Sequence, residues 1–407
     1  MTTPAALIVF DDGLGELGPL TDLRPSFAIR SGADTTIERI VRTFPILLAG
    51  VRVPEQLAGV ASESDQAPLM TGFDGDDALL INGRCPVPDP AWTALEKGQA
   101  IVEPGNGAVI AVRMSRKGVA GFLESMDLPG EASRQEADRP MLLNQPWDVV
   151  RFRNEAIAAD LVGLADQRPD DVPYEITGDH PVWIDPSARI ARSAVLDASM
   201  GPIRIGAGAT IRHGAIVLGT AVVGEDSTIL EHALIKPNTS IGPACKIAGE
   251  LGGVIVQSHT NKAHDGHVGD SWLGSWIYLG AGTTNSNLLN TYGEVTAQAQ
   301  PDARRVRTGM TFLGSILGDH VKTSIGTQLM TGAVVGMGSM LACTAPPPTC
   351  VGRFEWITDA GRSRFRLDKF LQTARAMMER REITLSDAMI ARLIELHTKS
   401  ASMSVVK

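Results

Sequence analysis

Cysteine is scarce in this chain: Cys85, Cys245, Cys343 and Cys350 are its four, none spaced as CxxC. That excludes a disulfide framework or a structural zinc site, and reduced thiols are expected. Aromatics are few, at 5%, and 37 Lys and Arg face 46 Asp and Glu, for a net charge of −9. Phosphate-backbone binding needs a cationic footprint and rings for base stacking, so no nucleic acid partner is expected. No uncharged apolar run approaches the ~18 residues of a membrane span. Met1–Phe10 lacks a basic start and passes into Leu7-Ile8-Val9-Phe10, a first strand instead of a secretory leader. A soluble, cytoplasmic chain with no membrane partner is the expectation. Its 407 residues suffice for two or three domains with cores of their own.

Glycine is what the chain has in excess: 42 residues, with no collagen period and no Gly/Ser linker. Of these, 23 fall between Gly201 and Met340, where Ile205, Ile211, Val217, Val223, Ile229, Ile235, Ile241 and Ile247 recur every six residues. Two places before each stands Ile203, Ala209, Ala215, Ala221, Ser227, Ala233, Thr239 or Cys245, small in all but the first. A period of six fits neither a helix nor an ordinary strand, but it fits a short strand plus a tight corner, repeated as a β-helix. With three hexads per turn, residue i stacks on i+18. Ile205, Val223 and Ile241 form one column, Ile211, Ile229 and Ile247 a second, Val217 and Ile235 a third. The surplus glycine is assigned to corners, which need residues without a Cβ.

The series extends back through Ile184, Ile190 and Leu196 and forward through Leu317, Thr323, Leu329, Val335 and Leu341, but falters between Gly249 and Thr311. Loops thrown out of the coil are expected there, and loops on a rigid scaffold are where function concentrates. Upstream, apolar runs alternate with helix-like stretches (Thr36–Phe44, Phe152–Leu164), which predicts an α/β layer domain. The expected organisation is an α/β domain over 1–165, a linker over 166–181, the β-helix over 182–345 closed by Pro346-Pro347-Pro348, and a tail over 346–407 with two helices. Thr384 and Ser386 are candidate caps of the second helix.

Three of the eight histidines, His259, His264 and His267, fall within nine residues where the hexads break. Imidazole titrates near neutrality and suits general-base work; backbone-bonded loop histidines are the plainer alternative. Metal binding fits poorly, because His264 and His267, three apart on extended chain, diverge, and His213 and His232 miss the 18-residue stacking interval by one. No metal site is expected among them.

The hexapeptide ladder from about Ile184 to Leu341 resembles the left-handed β-helix acyltransferases. Lys236-Pro237-Asn238, the run His264 to Asp270, and Tyr278-Leu279-Gly280-Ala281-Gly282-Thr283 resemble the acetyltransferase half of the GlmU-like bifunctional family. Asn261-Lys262-Ala263-His264-Asp265-Gly266, Asn285-Ser286-Asn287-Leu288 and Gln145-Pro146-Trp147-Asp148 are similar to a divergent sugar nucleotidyltransferase branch of that family. The resemblance implies a left-handed coil forming a side-by-side homotrimer, with acetyl-CoA as cosubstrate between subunits and an amino sugar as acceptor. It implies His264 as the base that deprotonates the sugar amine, Lys236 at a phosphate-gripping position, and Lys262, His267 and Asn287 near the acceptor. His267 stands where the family has Tyr, and Tyr278 where it has Asn.

Leu17-Gly18-Pro19-Leu20-Thr21-Asp22-Leu23-Arg24-Pro25 resembles the start of sugar nucleotidyltransferases, whose glycine-rich loop cradles a triphosphate. Here Glu16 and Ser26 stand at the family's two cationic positions, and Asn82 where a metal-binding Asp is expected. Arg24 and Arg30 are candidate compensating nucleotide-binding residues, with Mg²⁺ implied only if nucleotidyl transfer is retained. The leading expectation is acyl-CoA-dependent N-acyl transfer to an amino sugar phosphate or nucleotide-linked amino sugar. The alternatives are sugar-1-phosphate nucleotidyl transfer on a trimeric scaffold, and sugar-nucleotide binding without catalysis.

Overall fold

In the computed structural model of the protein, residues 3–63, 67–169 and 172–403 are described, with side chains through Ser400. Met1 and Thr2, Asp170 and Asp171 of the expected linker, and residues 404–407 of the tail lie outside the described residues. The chain divides into two units: Met1–Leu17, Leu23–Ile29 and Asp34–Gln145 form one, and Gly18–Asp22, Arg30–Ala33 and Pro146–Lys407 the other.

The first unit is a six-stranded mixed sheet in the order β2-β1-β3-β5-β4-β6. Its strands are β1 (Ala6–Phe10), β2 (Leu48–Arg52), β3 (Asp77–Asn82), β4 (Gln99–Val102), β5 (Val109–Ser115) and β6 (Ser133–Glu136). Helices α1 (Thr36–Thr43), α2 (Glu55–Ala61) and α3 (Arg116–Ser125) connect them. Residues Leu7–Phe10 are apolar throughout because both faces of β1 are covered. Leu7 and Val9 share a core with Ile37, Ile40 and Phe44, while Ile8 and Phe10 share another with Val119 and Phe122. A capping box starts α1, the backbone N–H of Thr35 donating to Glu38 at 2.7 Å.

The second unit is a parallel β-solenoid, and the i+18 stacking holds: Ile205, Val223 and Ile241 are in register, as are Ile211, Ile229 and Ile247, and Val217 with Ile235. All are buried, together with the small residues two places before them. The coil is longer at both ends than its aliphatic pattern. Glu175–Thr177 already pairs in parallel with Val195–Asp197, so the expected linker carries the first strand. Beyond the three prolines, Cys350–Val351 and Glu355–Thr358 continue two sides of the coil. The prolines occupy a stretch without ladder pairing, where a missing N–H breaks nothing.

Helix α4 (Asp148–Leu161) belongs to this unit as well, which sets the division at Pro146 instead of within 166–181. The reason is packing, since its Ile157 and Leu161 are buried with Val222 of the coil. Between Gly249 and Thr311 the turns shorten, pairing Leu234 with Glu250 and Lys246 with Asn261, and residues 288–312 leave the coil as an excursion holding a short antiparallel pair, Thr296–Ala297 with Val306–Arg307.

Glycine is only part of the corner chemistry. Along one corner, Gly208, Asp226, Ala244, His259, Trp276, His320, Gly338 and Phe354 all have positive φ. The larger of these side chains stack: His259 on Trp276 at 4.4 Å and Trp276 on His320 at 6.3 Å between ring centroids. Phe370 of α5 (Leu367–Glu379) packs edge-on against His320 and Phe354, and Gly338 leaves the room, since a Cβ there would stand 3.0 Å from its ring. Helix α6 (Asp387–Met403) follows, its first turn capped by Ser386 Oγ accepting from Met389 N–H at 3.2 Å.

Candidate functional site

On the third side of the coil, Leu234, Glu250 and His267 lie side by side, followed by Ile235, Leu251 and Val268. The second set is buried, so strand alternation turns Glu250 and His267 outward, with Lys236 beside them. Lys236 Nζ donates to Glu250 Oε1 at 3.0 Å, and His267 Nδ1 lies 3.3 Å from the same oxygen. All three remain open to solvent, with side-chain exposures of 46, 39 and 33%. The Lys236 hydrogen bond, joined by the neighbouring His267, holds the Glu250 carboxyl below the ordinary carboxylate range.

Gly252 and Gly269 come next in register, and side chains of the neighbouring turns lie over them. The Lys236 stem passes 3.4 Å from where a Gly252 Cβ would be, and a Cβ on Gly269 would stand 2.7 Å from both His267 Nε2 and Asn287 Nδ2. On the far side, Asn287 Nδ2 donates to Asp270 Oδ2 at 2.7 Å, and Arg153 Nη1 of α4 donates to Asp270 Oδ1 at 2.9 Å. The cluster thus offers a cation, an imidazole beside a carboxylate, and a fixed amide, grouped over two glycines. That set suits gripping an anionic group and moving a proton beside it.

Of the residues singled out in sequence, Lys236, His267 and Asn287 come together here. His264 sits three residues before His267 on an exposed loop, where no hydrogen bond from the described residues holds its ring. Lys262, expected at the acceptor, is instead a buried clamp. It continues the inward column of Ile211, Ile229 and Ile247, and its Nζ donates to the carbonyls of Ala248 (2.9 Å), His264 (2.9 Å) and Asp265 (3.2 Å). Burial pushes its ammonium down to about 8. His259 is taken up by the corner stack, and burial lowers its pKa.

Sequence reasoning missed Glu250 and Arg153. Glu250 precedes His267 by 17 residues, not 18, so the hexad count hides their pairing; Arg153 lies far upstream on α4.

The first unit holds a different polar cluster, where β1 and β3 end. Arg84 donates to both carboxylate oxygens of Asp12, Nε at 2.8 Å and Nη2 at 2.7 Å, and through Nη1 to Leu143 O and Asn144 Oδ1. Asn82 Nδ2 donates to Asp12 Oδ2 and Val109 O, while its Oδ1 accepts from Arg84 N–H. Asn144 Nδ2 continues to Glu103 at 3.1 Å. Asn82, at the position expected to bind metal, is fully buried with its amide engaged on both sides, so this arrangement does not fit a divalent ion.

Residues 7–169 match the family model described as sugar nucleotidyl transferase. The chain has distant GlmU relatives. Bifunctional protein GlmU of Methanococcus vannielii is 33% identical over 111 residues, 27% of this chain and 26% of that protein. The first relatives match over 26–42% of their own length, so the chain spans a minor part of each. Among solved structures, a hexapeptide transferase family protein from Anaplasma phagocytophilum is 15% identical, covering 56% of this chain and 95% of that one at a TM-score of 0.26. A perosamine N-acetyltransferase variant from Caulobacter crescentus, solved with CoA and GDP-perosamine, is 12% identical, covering 89% and 99% at a TM-score of 0.18.

Within the stretch matched by that family model, the residues at the expected nucleotide positions have different partners. Glu16 is exposed and accepts from Gln145 Nε2 at 3.3 Å; Ser26 is buried, its backbone N–H donating to Asp11 at 2.7 Å. Burial raises the Asp11 pKa above the ordinary carboxylate value. Arg24 and Arg30 fall in different units. Arg30 is bound to Gln257 through its backbone N–H (2.8 Å) and to Ala33 O through its guanidinium, and its own carbonyl accepts from Trp272 Nε1 at 3.1 Å. Asp22 of the motif is buried in the second unit, held by Arg353 at 2.8 and 2.7 Å.

Proposed function

We propose that the coil catalyses transfer of an acyl group, acetyl in the first instance, from acyl-CoA to the amine of an amino sugar phosphate or a nucleotide-linked amino sugar. The observation that carries this reading is the convergence of Lys236, Glu250, His267 and Asn287 over Gly252 and Gly269. Lys236 supplies the charge for a phosphate. A histidine of the 264–267 loop supplies the base, and Asn287 positions the acceptor. The GlmU relatives support the reaction class.

Thiol release from acetyl-CoA, followed across a panel of amino sugar phosphates and nucleotide-linked amino sugars, tests it. Turnover with at least one acceptor, lost when His264 and His267 are both replaced by Ala, is the expected result; turnover unchanged in the double variant overturns it. A homotrimer with acyl-CoA between subunits belongs to the same reading. Sedimentation equilibrium checks it.

For the first unit, the closed Asp12–Arg84–Asn82 cluster argues against metal-dependent nucleotidyl transfer, which leaves sugar-nucleotide binding without catalysis as its reading. Pyrophosphate release from a nucleoside triphosphate and a sugar-1-phosphate with Mg²⁺ would refute that.

A further inference from the structure

We propose that His267 is the general base of this acyl transfer, with Glu250 as the positioning residue that fixes its tautomer; the inference rests on the acyl-transfer reading above. Three histidines compete for the role, and their surroundings differ. His259 is stacked on Trp276 at the opposite corner system and is half-buried. His264 is exposed, and among the described residues no hydrogen bond holds its ring. Only His267 has one nitrogen against a carboxylate, Nδ1 at 3.3 Å from Glu250, and the other turned over Gly269.

The geometry sets the proton inventory. Glu250 can only accept, so the proton of a neutral ring sits on Nδ1 and the lone pair on Nε2. Nε2 then lies above Gly269, opposite the Asn287 amide that Asp270 and Arg153 hold in place. Lys236 shares Oε1 of Glu250 and keeps that carboxyl ionised, so an imidazolium formed during reaction is stabilised by a charge already present. Gly269 is part of the device, since any Cβ there would fill the space between Nε2 and the amide.

In the step itself, the amine nitrogen of the acceptor attacks the thioester carbonyl carbon while Nε2 takes one of its protons. The N–C bond forms, the C–S bond breaks with its electron pair going to sulfur, and the imidazolium returns the proton to the thiolate. The products are the amide and free CoA thiol, with no net proton left on the protein. Glu250 and Lys236 face His267 from the preceding turns, and Asp270 and Arg153 stand behind Asn287 on the other side.

The test uses the full-length protein, acetyl-CoA and the acceptor panel, comparing H267Q, H264Q and E250Q. Removing a general base costs about 10²–10⁴-fold in rate. The kcat loss in H267Q should exceed that in H264Q by at least tenfold (about 1.4 kcal/mol), with KM moved less than kcat. In E250Q the acidic limb of the kcat/KM profile should move to lower pH. The His267 ring resonances in an NMR titration should follow it, a readout independent of turnover. Circular dichroism melts of each variant identify any loss that is merely unfolding, and His267→Asn then replaces a Gln variant that fails to fold. If H264Q is the more damaging variant, or if His267 titrates identically with and without Glu250, the assignment falls while the acyl-transfer reading stands. If the unmodified protein releases no thiol with any acceptor, both fall.

Discussion

Two carboxylate–cation clusters in this molecule use the same residue types and do opposite things. In the first unit, Arg84 and Asp12 form a bidentate pair with side-chain exposures of only 1 and 7%, and Asn82, Leu143 and Asn144 bind their remaining polar atoms. On the coil, Lys236, Glu250 and His267 share one carboxylate oxygen and leave an edge of each group open to solvent. A network whose members are all satisfied internally is a structural element, whereas one whose members keep polar edges open to solvent can take a ligand. Asn82, the position at which the resemblance led a metal ligand to be expected, belongs to the first kind, and the irregular turns of the coil hold the second.

The largest expected effect comes from opening the closed cluster. Arg84→Ala leaves Asp12 buried beside Asn82 with no charge partner, and breaking such a pair costs about 3–5 kcal/mol. Urea denaturation should show that loss. A variant within 1 kcal/mol of the parent, or one that gains Mg²⁺-dependent pyrophosphate release, would mean that the cluster is held more loosely than its hydrogen bonds indicate.

How much of this contrast is legible in the sequence follows from how local each signal is. The hexad columns are written every six residues, so Ile205, Val223 and Ile241 reveal both the coil and its 18-residue register. The shortened turns are not written that way. Glu250 meets His267 because corners lose residues after Lys246, and nothing in the local pattern counts that loss. Lys262 misleads for the same reason: it reads as a polar loop residue but occupies an inward aliphatic column. Asp12 and Arg84 are far apart in sequence and meet only because β1 and β3 are adjacent and parallel. Glycine content finds the coil but not its corners, several of which carry Asp226, Ala244, Trp276 or Phe354 at positive φ.

The open cluster should respond to substitution in activity and hardly in stability. Gly269→Ala places a methyl 2.7 Å from His267 Nε2 and Asn287 Nδ2, so acyl transfer should fall by about 10–100-fold, as small misplacements at a reacting centre do, with a melting curve close to the parent's. Lys236→Ala comes next. The Lys236–Glu250 pair is half-exposed, so its loss should cost less than about 1 kcal/mol of stability. A lost charge-assisted phosphate contact should raise KM for a phosphorylated acceptor roughly tenfold and leave an unphosphorylated one unchanged. Equal effects on both acceptors would detach Lys236 from phosphate binding and make it a neighbour of Glu250 only.

Lys262 lies between the two kinds of cluster, satisfied internally yet next to the histidine loop, and its signature should be the smallest. Burial lowers its pKa from 10.5 to about 8. The folded value lies below the unfolded one, so the unfolded chain holds more protons between those values and stability rises with pH across that window. The penalty of the buried ammonium is complete below about 8 and gone above 10.5. Lys262→Met keeps the aliphatic column and removes the charge, so the stability of the parent relative to the variant should improve from pH 7.5 to 10. Three carbonyl bonds to Nζ favour the charged form and offset part of the desolvation, so the change is smaller than burial alone would give. Denaturation curves at several pH values decide it: a difference that is flat with pH would show that the carbonyl cage fully offsets burial, and would make Lys262 as closed an element as Arg84.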